Sequence, residues 1–293
     1  MSVQGGAVLA REAAAEEVAP PSRSRGRMSL GPWLLPVYAV LAFAFLLVPI
    51  VYTIAFSFND SVRSNIVWRG FTLRNWLTVC DQPGVCQAFD NSLTIGLVAT
   101  VIATVLGTAI AVALARYRFR ARSGVNLLVF LPMATPEVVL GAGLAAQFLT
   151  AGVAKGIGTV IVAHAMFCLS FVVVTVKARV ASLDPALEAA GADLYGSPAA
   201  VFWRITFPLL MPGILAAALL SFSLSFDDFI ITYFNSGSID TFPTYIYTAA
   251  TRGIPAAANV VATAVFVLAI VVVIGSTVLG ERRRRRMRAR VGG

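Results

Sequence analysis

Three carboxylates of this sequence lie inside strongly apolar segments, where an ionised side chain is costly. Glu137 stands in one such segment, and the adjacent Asp227 and Asp228 stand in another. An aspartate at the middle of a membrane helix costs roughly 2.5 to 3.5 kcal/mol on an insertion scale. Two adjacent ones therefore call for water, a partner group or a cation. Acids at such positions usually have a function, so all three are candidate functional residues.

Aromatic residues surround the aspartate pair, and this combination suits an ammonium group carried on an apolar chain. Carboxylates attract the cation by charge, and aromatic faces add a cation–π attraction. The candidate substrate pathway comprises six residues: Glu137, Phe226, Asp227, Asp228, Phe229 and Tyr233.

Structural explanations for the same acids stay open at this point. One alternative is that Glu137, which follows Pro136, only stabilises the start of a helix through the helix dipole. Another is that the aspartates bond to the backbone, or to Ser223 and Ser225, at a structural kink. Neighbouring helix residues point about 100° apart, so only one aspartate would face a cavity squarely, and the sequence does not rank them. The only histidine, His164, is typical of a buried, hydrogen-bonded packing residue.

The composition is that of a polytopic membrane protein. Of 293 residues, 58% are hydrophobic and 13% are charged, and the mean hydropathy is +0.82. A soluble domain has about 25% charged residues. Six apolar stretches approach or exceed the ~20 residues that cross a bilayer. They lie at about 31–56, 92–115, 125–149, 157–176, 213–233 and 256–279, within one membrane domain (30–280) flanked by a disordered leader (1–29) and a basic tail (281–293).

The distribution of basic residues predicts the orientation and argues against nucleic-acid binding. The net charge is +9, but seven of the 23 basic residues lie in the tail, next to an apolar segment. Such clusters set topology or contact anionic lipid. With both termini inside the cell, 18 of the 23 basic residues lie on the cytoplasmic side, as the positive-inside rule requires. We expect both termini to be cytoplasmic.

Enzyme and cofactor motifs are missing from the sequence. No GKS or GKT follows a glycine-rich loop, so the chain lacks a P-loop for ATP. A single histidine excludes an HExxH metal site, and no GxSxG elbow is present. The chain is predicted to be neither an enzyme nor a cofactor protein.

Two cysteines, Cys80 and Cys86, stand in the segment CDQPGVC of the first outer loop. They form a small disulfide ring if the compartment is oxidising, and two unpaired thiols are the alternative. Cys168 lies within a span and is typical of a small packing residue.

The loop between the fourth and fifth spans, about 178–212, is long for a membrane protein and is predicted to contain two short helices. Asp184 and Pro185 begin the first helix, and Gly196 ends it. Ser197 and Pro198 begin the second helix, which is predicted to stop near Pro208. Its aromatic and basic residues indicate a docking site for a soluble partner. An amphipathic segment lying on lipid is the alternative.

This loop resembles the EAA loop of ABC importer permeases, whose pattern is Glu-Ala-Ala, three residues, Gly, nine residues, then Ile-x-Leu-Pro. Aligned at its right end, the pattern places Tyr195 at the glycine, and the literal Glu188-Ala189-Ala190 lies one residue early. The resemblance implies that the loop couples to an ATPase. The candidate coupling residues are Glu188, Ala189, Ala190, Asp193, Tyr195, Gly196, Arg204, Ile205 and Pro208.

Over about residues 31–280 the chain is similar to spermidine/putrescine ABC transporter permeases. The stretches that carry the similarity are FTLRNW, NSL, LPMATPEVVLG, DLYGSP, FWRITFPLLMPGI, SFSLSFDDFIITYFNSG and FPTYIYTAATRGIP. For such a family the resemblance implies a second homologous permease chain, a cytoplasmic ABC ATPase dimer and an external polyamine-binding protein. The loop would be the coupling helix that seats in an ATPase.

The sequence thus predicts an all-α, six-span permease subunit of a polyamine-type ABC importer in a bacterial inner membrane. The coupling loop lies between the fourth and fifth helices. One alternative keeps this assignment with another small cationic or organic solute. The other is a carrier driven by an ion gradient, with Glu137 or the aspartate pair as the proton site.

Overall fold

The computed structural model describes residues 31–61, 66–251 and 253–291, so the predicted leader lies outside the described residues. The chain forms two compact units, Met1–Pro49 and Ile50–Gly293. In the first unit the described part is one apolar helical stretch. The α-helices of the described residues are α1 (Gly31–Ser57), α2 (Arg74–Leu77), α3 (Val85–Arg116), α4 (Arg122–Ala134), α5 (Glu137–Thr150), α6 (Ile157–Ala181), α7 (Pro185–Tyr195), α8 (Pro198–Val201), α9 (Phe207–Asp227), α10 (Ile230–Asn235), α11 (Phe242–Ala250) and α12 (Ala256–Val291).

Among the residues that the structure describes, five helical runs are long and apolar enough to cross a membrane, and the number is six if the bent pair α4–α5 forms one span. The five are Leu34–Ser57, Val85–Arg116, Ile157–Ala181, Pro198–Asp227 and Ala256–Val278. The predicted all-helical, multi-pass architecture is therefore confirmed for the described residues.

The core of the second unit forms where α3 packs along α6, with α9 against both. Small residues recur every four positions on the packed face of α3: Ala103, Gly107 and Ala111. A Cβ added at Gly107 would lie 2.7 Å from Cγ1 of Val172 on α6, so the glycine is what permits this approach. Close helix contact through small residues is the usual means of association in lipid. This contact fixes α6 beside α9, where the acids lie.

The third segment, predicted as a span at 125–149, consists of two helices with a bend of 109° between them. The break falls at Thr135 and Pro136, whose ψ angles of 132° and 133° are extended. Proline has no amide hydrogen to donate, and it disfavours helical backbone at the residue before it. The hydroxyl of Thr135 donates to the carbonyl of Leu131 at 2.7 Å, which satisfies part of the broken end.

The loop's second helix does not stop near Pro208, and that prediction is wrong. It continues through a π turn, Phe202–Thr206, directly into α9. A proline ring inside an α-helix collides with the carbonyl four residues earlier, and its nitrogen has no hydrogen to donate. The wider π turn just before Pro208, in which the amide of Phe207 donates to the carbonyl of Phe202, accommodates the proline without ending the helix.

Other helix ends also differ from the predicted spans. The fifth span was predicted to continue to residue 233, but α9 ends at Asp227 and α10 is a separate short helix. The second span begins earlier than predicted, at Val85, and α12 continues to Val291, into the predicted tail. The side chains of residues 282–291 lie outside the described part.

A disulfide closes a small ring at the start of α3. Cys80 and Cys86 are bonded, with their Cα atoms 5.4 Å apart. Tyr245 of α11 lies against the ring: a Cβ added at Gly84 would be 3.2 Å from its aromatic carbons, and its hydroxyl donates to the carbonyl of Pro83 at 3.3 Å. The ring therefore supports α11.

We expect Cys80 and Cys86 to resist thiol labelling in unreduced protein, because bridged sulfurs offer no thiolate. Intact mass after denaturing alkylation, with and without prior reduction, should differ by two labels. Cys168, which is buried and unbridged, labels in both samples and serves as the internal control. Three labels without reduction would contradict the bridge.

Candidate functional site

The candidate site is built at the break between α9 and α10. Helix α9 ends at Asp227, and Asp228 has an extended backbone, with φ −64° and ψ 124°. The side chain of Asp228 turns inward and is only 8% exposed. Its Oδ1 accepts the backbone N–H of Thr232, on α10, at 3.0 Å. The carboxylate thus binds an amide that the break would otherwise leave without a partner.

His164 of α6 joins both sides of this break. It is 1% exposed. Its Nδ1 lies 2.7 Å from the hydroxyl of Ser225 on α9, and its Nε2 lies 2.9 Å from the hydroxyl of Thr232 on α10. The same Nε2 is 3.3 Å from Oδ1 of Asp228. The sequence indicated that His164 is a hydrogen-bonded packing residue, but it did not indicate that Ser225, Thr232 and Asp228 would be its partners.

Asp227 and Glu137 offer the exposed carboxylates of the site. Both side chains are exposed, in contrast to that of Asp228. Glu137 is the first residue of α5, and both aspartates act on it electrostatically. Glu137 and the adjacent aspartates, which are far apart in sequence, thus lie in one negatively charged region.

Packing between α5 and α10 brings the acids together. A Cβ added at Gly141 of α5 would lie 3.2 Å from Cα of Ile231 and 3.2 Å from the ring of Phe234. The side-chain amide of Asn235 donates to the carbonyl of Gly141 at 3.1 Å. Because Gly141 has no side chain, α10 lies directly on the first turns of α5.

An aromatic cluster adjoins the break. The ring centroids of Phe229 and Tyr233 are 5.5 Å apart, and Phe229 and Tyr247 are 4.7 Å apart. Tyr233 is 60% exposed. Phe226, predicted for the same pathway, is half-buried and packs against Phe222 and Phe89. Tyr247 of α11 was not predicted, and the only signal for it was its place in an aromatic stretch of the sequence.

The arrangement can attract a cation by charge and by aromatic contact, without acid–base or metal chemistry being required. The exposed carboxylate of Asp227 and the exposed ring of Tyr233 lie on the two sides of the same helix break, and ammonium groups favour this combination of side chains. Among the described residues, no group of three or more His, Cys, Asp or Glu side chains is placed to hold a metal ion.

The second candidate region is the hairpin formed by α7, α8 and the π turn. The carboxylate of Asp184 accepts the amide of Ala186 at 2.9 Å and caps α7. Gly196 ends the helix with a φ of +70°, a left-handed conformation that suits glycine. Ser197 caps α8 by accepting the amide of Ala200 at 3.2 Å. The predicted first helix, from Pro185 to Gly196, therefore has the caps that the sequence indicated.

Glu188 binds its own chain rather than facing outward. Its Oε1 accepts from Arg116, at the end of α3, at 2.8 Å and from the hydroxyl of Thr206 at 3.1 Å. Gly191 is buried, and a side chain there would overlap that of Ile205. These contacts fix α7 against the π turn and against α3.

The hairpin exposes large apolar side chains beside the charged Asp193 and Arg204. Leu194 is 80% exposed and Trp203 is 62% exposed. Neither was among the predicted coupling residues, and those differ in exposure: Ala189, Ala190, Asp193, Gly196, Arg204 and Pro208 are exposed, Glu188 and Ile205 are half-buried, and the side chain of Tyr195 lies outside the described part.

Comparison with known proteins identifies relatives over most of the chain. The profile of the family described as "Binding-protein-dependent transport system inner membrane component" matches residues 103–288. The spermidine/putrescine transport system permease protein PotC of Escherichia coli (strain K12) is 34% identical over 261 residues, which are 89% of this chain and 97% of the relative. The putrescine transport system permease protein PotI of the same strain is 33% identical over 240 residues, 79% of this chain and 85% of the relative.

Solved structures share the fold at low sequence identity. A crystal structure of a bacterial alginate ABC transporter in complex with alginate pentasaccharide-bound periplasmic protein has a TM-score of 0.62 at 18% identity, covering 84% of this chain and 91% of that chain. An inward-facing structure of the MetNI methionine ABC transporter has a TM-score of 0.56 at 16% identity, covering 66% of this chain and 94% of that chain.

We expect Glu188→Ala to loosen α7, because the substitution removes both the Arg116 and the Thr206 contacts. Amide hydrogen exchange in the peptide 185–195 should rise roughly fivefold, the equivalent of about 1 kcal/mol for a half-buried ion pair. Asp193→Ala, a change at an exposed acid of the same helix, is the matched control and should leave exchange unchanged. Equal exchange in the two variants would show that Glu188 does not anchor the helix.

Proposed function

This chain belongs to the family of binding-protein-dependent transport system inner membrane components, and we propose that it is the permease subunit through which an ABC importer moves polyamines into the cytoplasm. The relatives named as spermidine/putrescine and putrescine permeases support this cargo. A polyamine carries ammonium groups on an apolar chain, so a fitting pathway combines carboxylates with aromatic surface.

The observation that carries the proposal is the pair of exposed carboxylates beside the aromatic cluster. Asp227 and Glu137 reach the surface of this chain, and Phe229, Tyr233 and Tyr247 lie at the same break. A single permease chain supplies one side of this pathway, and a second, homologous permease chain supplies the other. The exposed acids face that shared pathway.

The membrane potential assists a cationic cargo. Moving one positive charge inward across 100 mV releases about 2.3 kcal/mol, so each ammonium group is already drawn into the cell. ATP then serves to concentrate dilute cargo and to enforce direction. An external binding protein delivers the polyamine, and both termini of this chain face the cytoplasm.

The energy for transport comes from ATP hydrolysis by a cytoplasmic ABC ATPase dimer, since this chain has no phosphate-binding loop of its own. The hairpin is its docking site, with Leu194 and Trp203 as the apolar contacts. The helical run from Pro198 to Asp227 contains 30 residues, a length on the order of 45 Å. It joins the hairpin to the acidic break without interruption, so a movement imposed on the hairpin is transmitted to the carboxylates.

We expect proteoliposomes that contain the complete transporter, the binding protein and internal ATP to accumulate labelled spermidine and putrescine. Unlabelled polyamines should compete for this uptake, whereas neutral sugars and amino acids should not. Uptake of a different solute class in preference to polyamines would overturn the cargo assignment. Accumulation by this chain alone, without nucleotide, would instead indicate a gradient-driven carrier.

We expect Leu194→Asp to weaken ATPase docking, since a charge would replace an apolar contact that the ATPase buries. Burying a leucine side chain contributes about 1.5–3 kcal/mol, so the ATPase retained on the purified permease should fall at least about tenfold. Leu194→Met, which keeps an apolar side chain at the same position, is the control and should retain it. If Leu194→Asp co-purifies with as much ATPase as Leu194→Met, the hairpin is not the docking site.

A further inference from the structure

Asp227 and Asp228 are neighbours in sequence but occupy opposite environments. Asp227 is the last residue of α9 and is exposed, whereas Asp228 is 8% exposed and faces α6. The extended backbone at Asp228 causes this division, because it sends the two side chains away from each other where a continuous helix would separate them by only about 100°.

The carboxylate of Asp228 is already occupied by its own chain. One oxygen, Oδ1, lies 3.0 Å from the amide nitrogen of Thr232, 3.4 Å from the Thr232 hydroxyl and 3.3 Å from Nε2 of His164. A buried carboxylate is tolerated only when such donors replace water. The surroundings of the Asp228 carboxylate therefore suit a group that stabilises the helix break, and they do not suit a group that binds a cation.

His164 fixes the geometry of the break from a third helix. Ser225 lies on the α9 side and Thr232 on the α10 side, and one imidazole ring reaches both. If the Ser225 hydroxyl donates to Nδ1, then Nε2 carries the hydrogen and presents it to Thr232 and Asp228, so every member of the network has a partner. Buried polar networks that are fully satisfied hold a single arrangement.

The four residues of this network are buried, yet the network fixes the backbone that carries the exposed Asp227. Ser225 lies two residues before Asp227, and Asp228 directly follows it. Any loss of the network would free the end of α9, and the Asp227 carboxylate would no longer be held in one direction.

We propose that the two aspartates have separate tasks: Asp228, tied by His164 and Thr232, anchors the helix break, and Asp227 alone presents its charge to the cation. His164 is the positioning residue of this arrangement, because it acts on the cargo only through Asp227. The inference rests on the proposed function, since it assigns roles within the same cation pathway.

The decisive comparison is between Asp227→Asn and Asp228→Asn, which remove the same charge one residue apart. The complete transporter is reconstituted in proteoliposomes with its binding protein, and the readout is the spermidine imported per ATP hydrolysed. Asp227→Asn should lower this ratio about tenfold, because a charge-assisted contact with the cargo is lost. Asp228→Asn should stay within about twofold of the wild type, because the amide oxygen still accepts from Thr232 and His164.

The role of His164 is tested by a double substitution. His164→Ala should lower the ratio about as much as Asp227→Asn, and the double variant should be no worse than Asp227→Asn alone, because both changes act through one carboxylate. His164→Gln keeps a polar side chain at this position and should restore part of the spermidine imported per ATP hydrolysed. If His164→Ala does not assemble into the transporter, His164→Gln is used in its place. A general folding defect would instead reduce ATP hydrolysis and import together and would add to the effect of Asp227→Asn.

The proposed function and the division of roles between the aspartates are contradicted by different results. If the wild type imports no polyamine, the proposed function fails. If the wild type imports polyamine but Asp228→Asn is as damaging as Asp227→Asn, or if Asp227→Asn is harmless, the division of tasks is wrong. Independent, additive losses in the double variant would overturn the positioning role of His164.

Discussion

A helix that breaks inside a membrane must satisfy its freed backbone groups from within the protein, because lipid offers no hydrogen bonds. This requirement governs the α9–α10 region. Asp228 accepts the amide of Thr232, and Asn235 donates both to the carbonyl of Ile231 in its own helix and to that of Gly141 in α5. Polar side chains in an apolar segment carry a desolvation cost, and here these same side chains bind the backbone groups that the break leaves free.

Two such breaks lie together, and their contact creates the site. One is at Thr135 and Pro136, the other at Asp228, and α10 packs on the start of α5 because Gly141 has no side chain. Glu137 therefore belongs to the same charged region as the aspartates. A pathway for a cation at this place depends on irregular backbone, which membrane proteins tolerate where it is buried or lines a cavity.

The same helical run that ends at Asp227 begins in the hairpin of α7, α8 and the π turn. The π turn before Pro208 keeps the run from Pro198 to Asp227 continuous, and Glu188 ties α7 to that turn through Thr206 and to α3 through Arg116. The core contact between α3 and α6, made close by Gly107, holds His164 against the far end of the run. The hairpin, the helix core and the acidic break are thus connected by a continuous helical run and by side-chain contacts.

Apolar length and local caps were sufficient to predict the class of protein, its helical multi-pass architecture and the start of the hairpin at Asp184 and Pro185, because these depend on residues close together in the chain. The candidate acids were also visible, since charge in an apolar segment is conspicuous. Only the tertiary structure decided that Asp227 is exposed and Asp228 buried. That outcome depends on His164, which lies more than sixty residues away, and on an extended backbone that helical periodicity does not reveal.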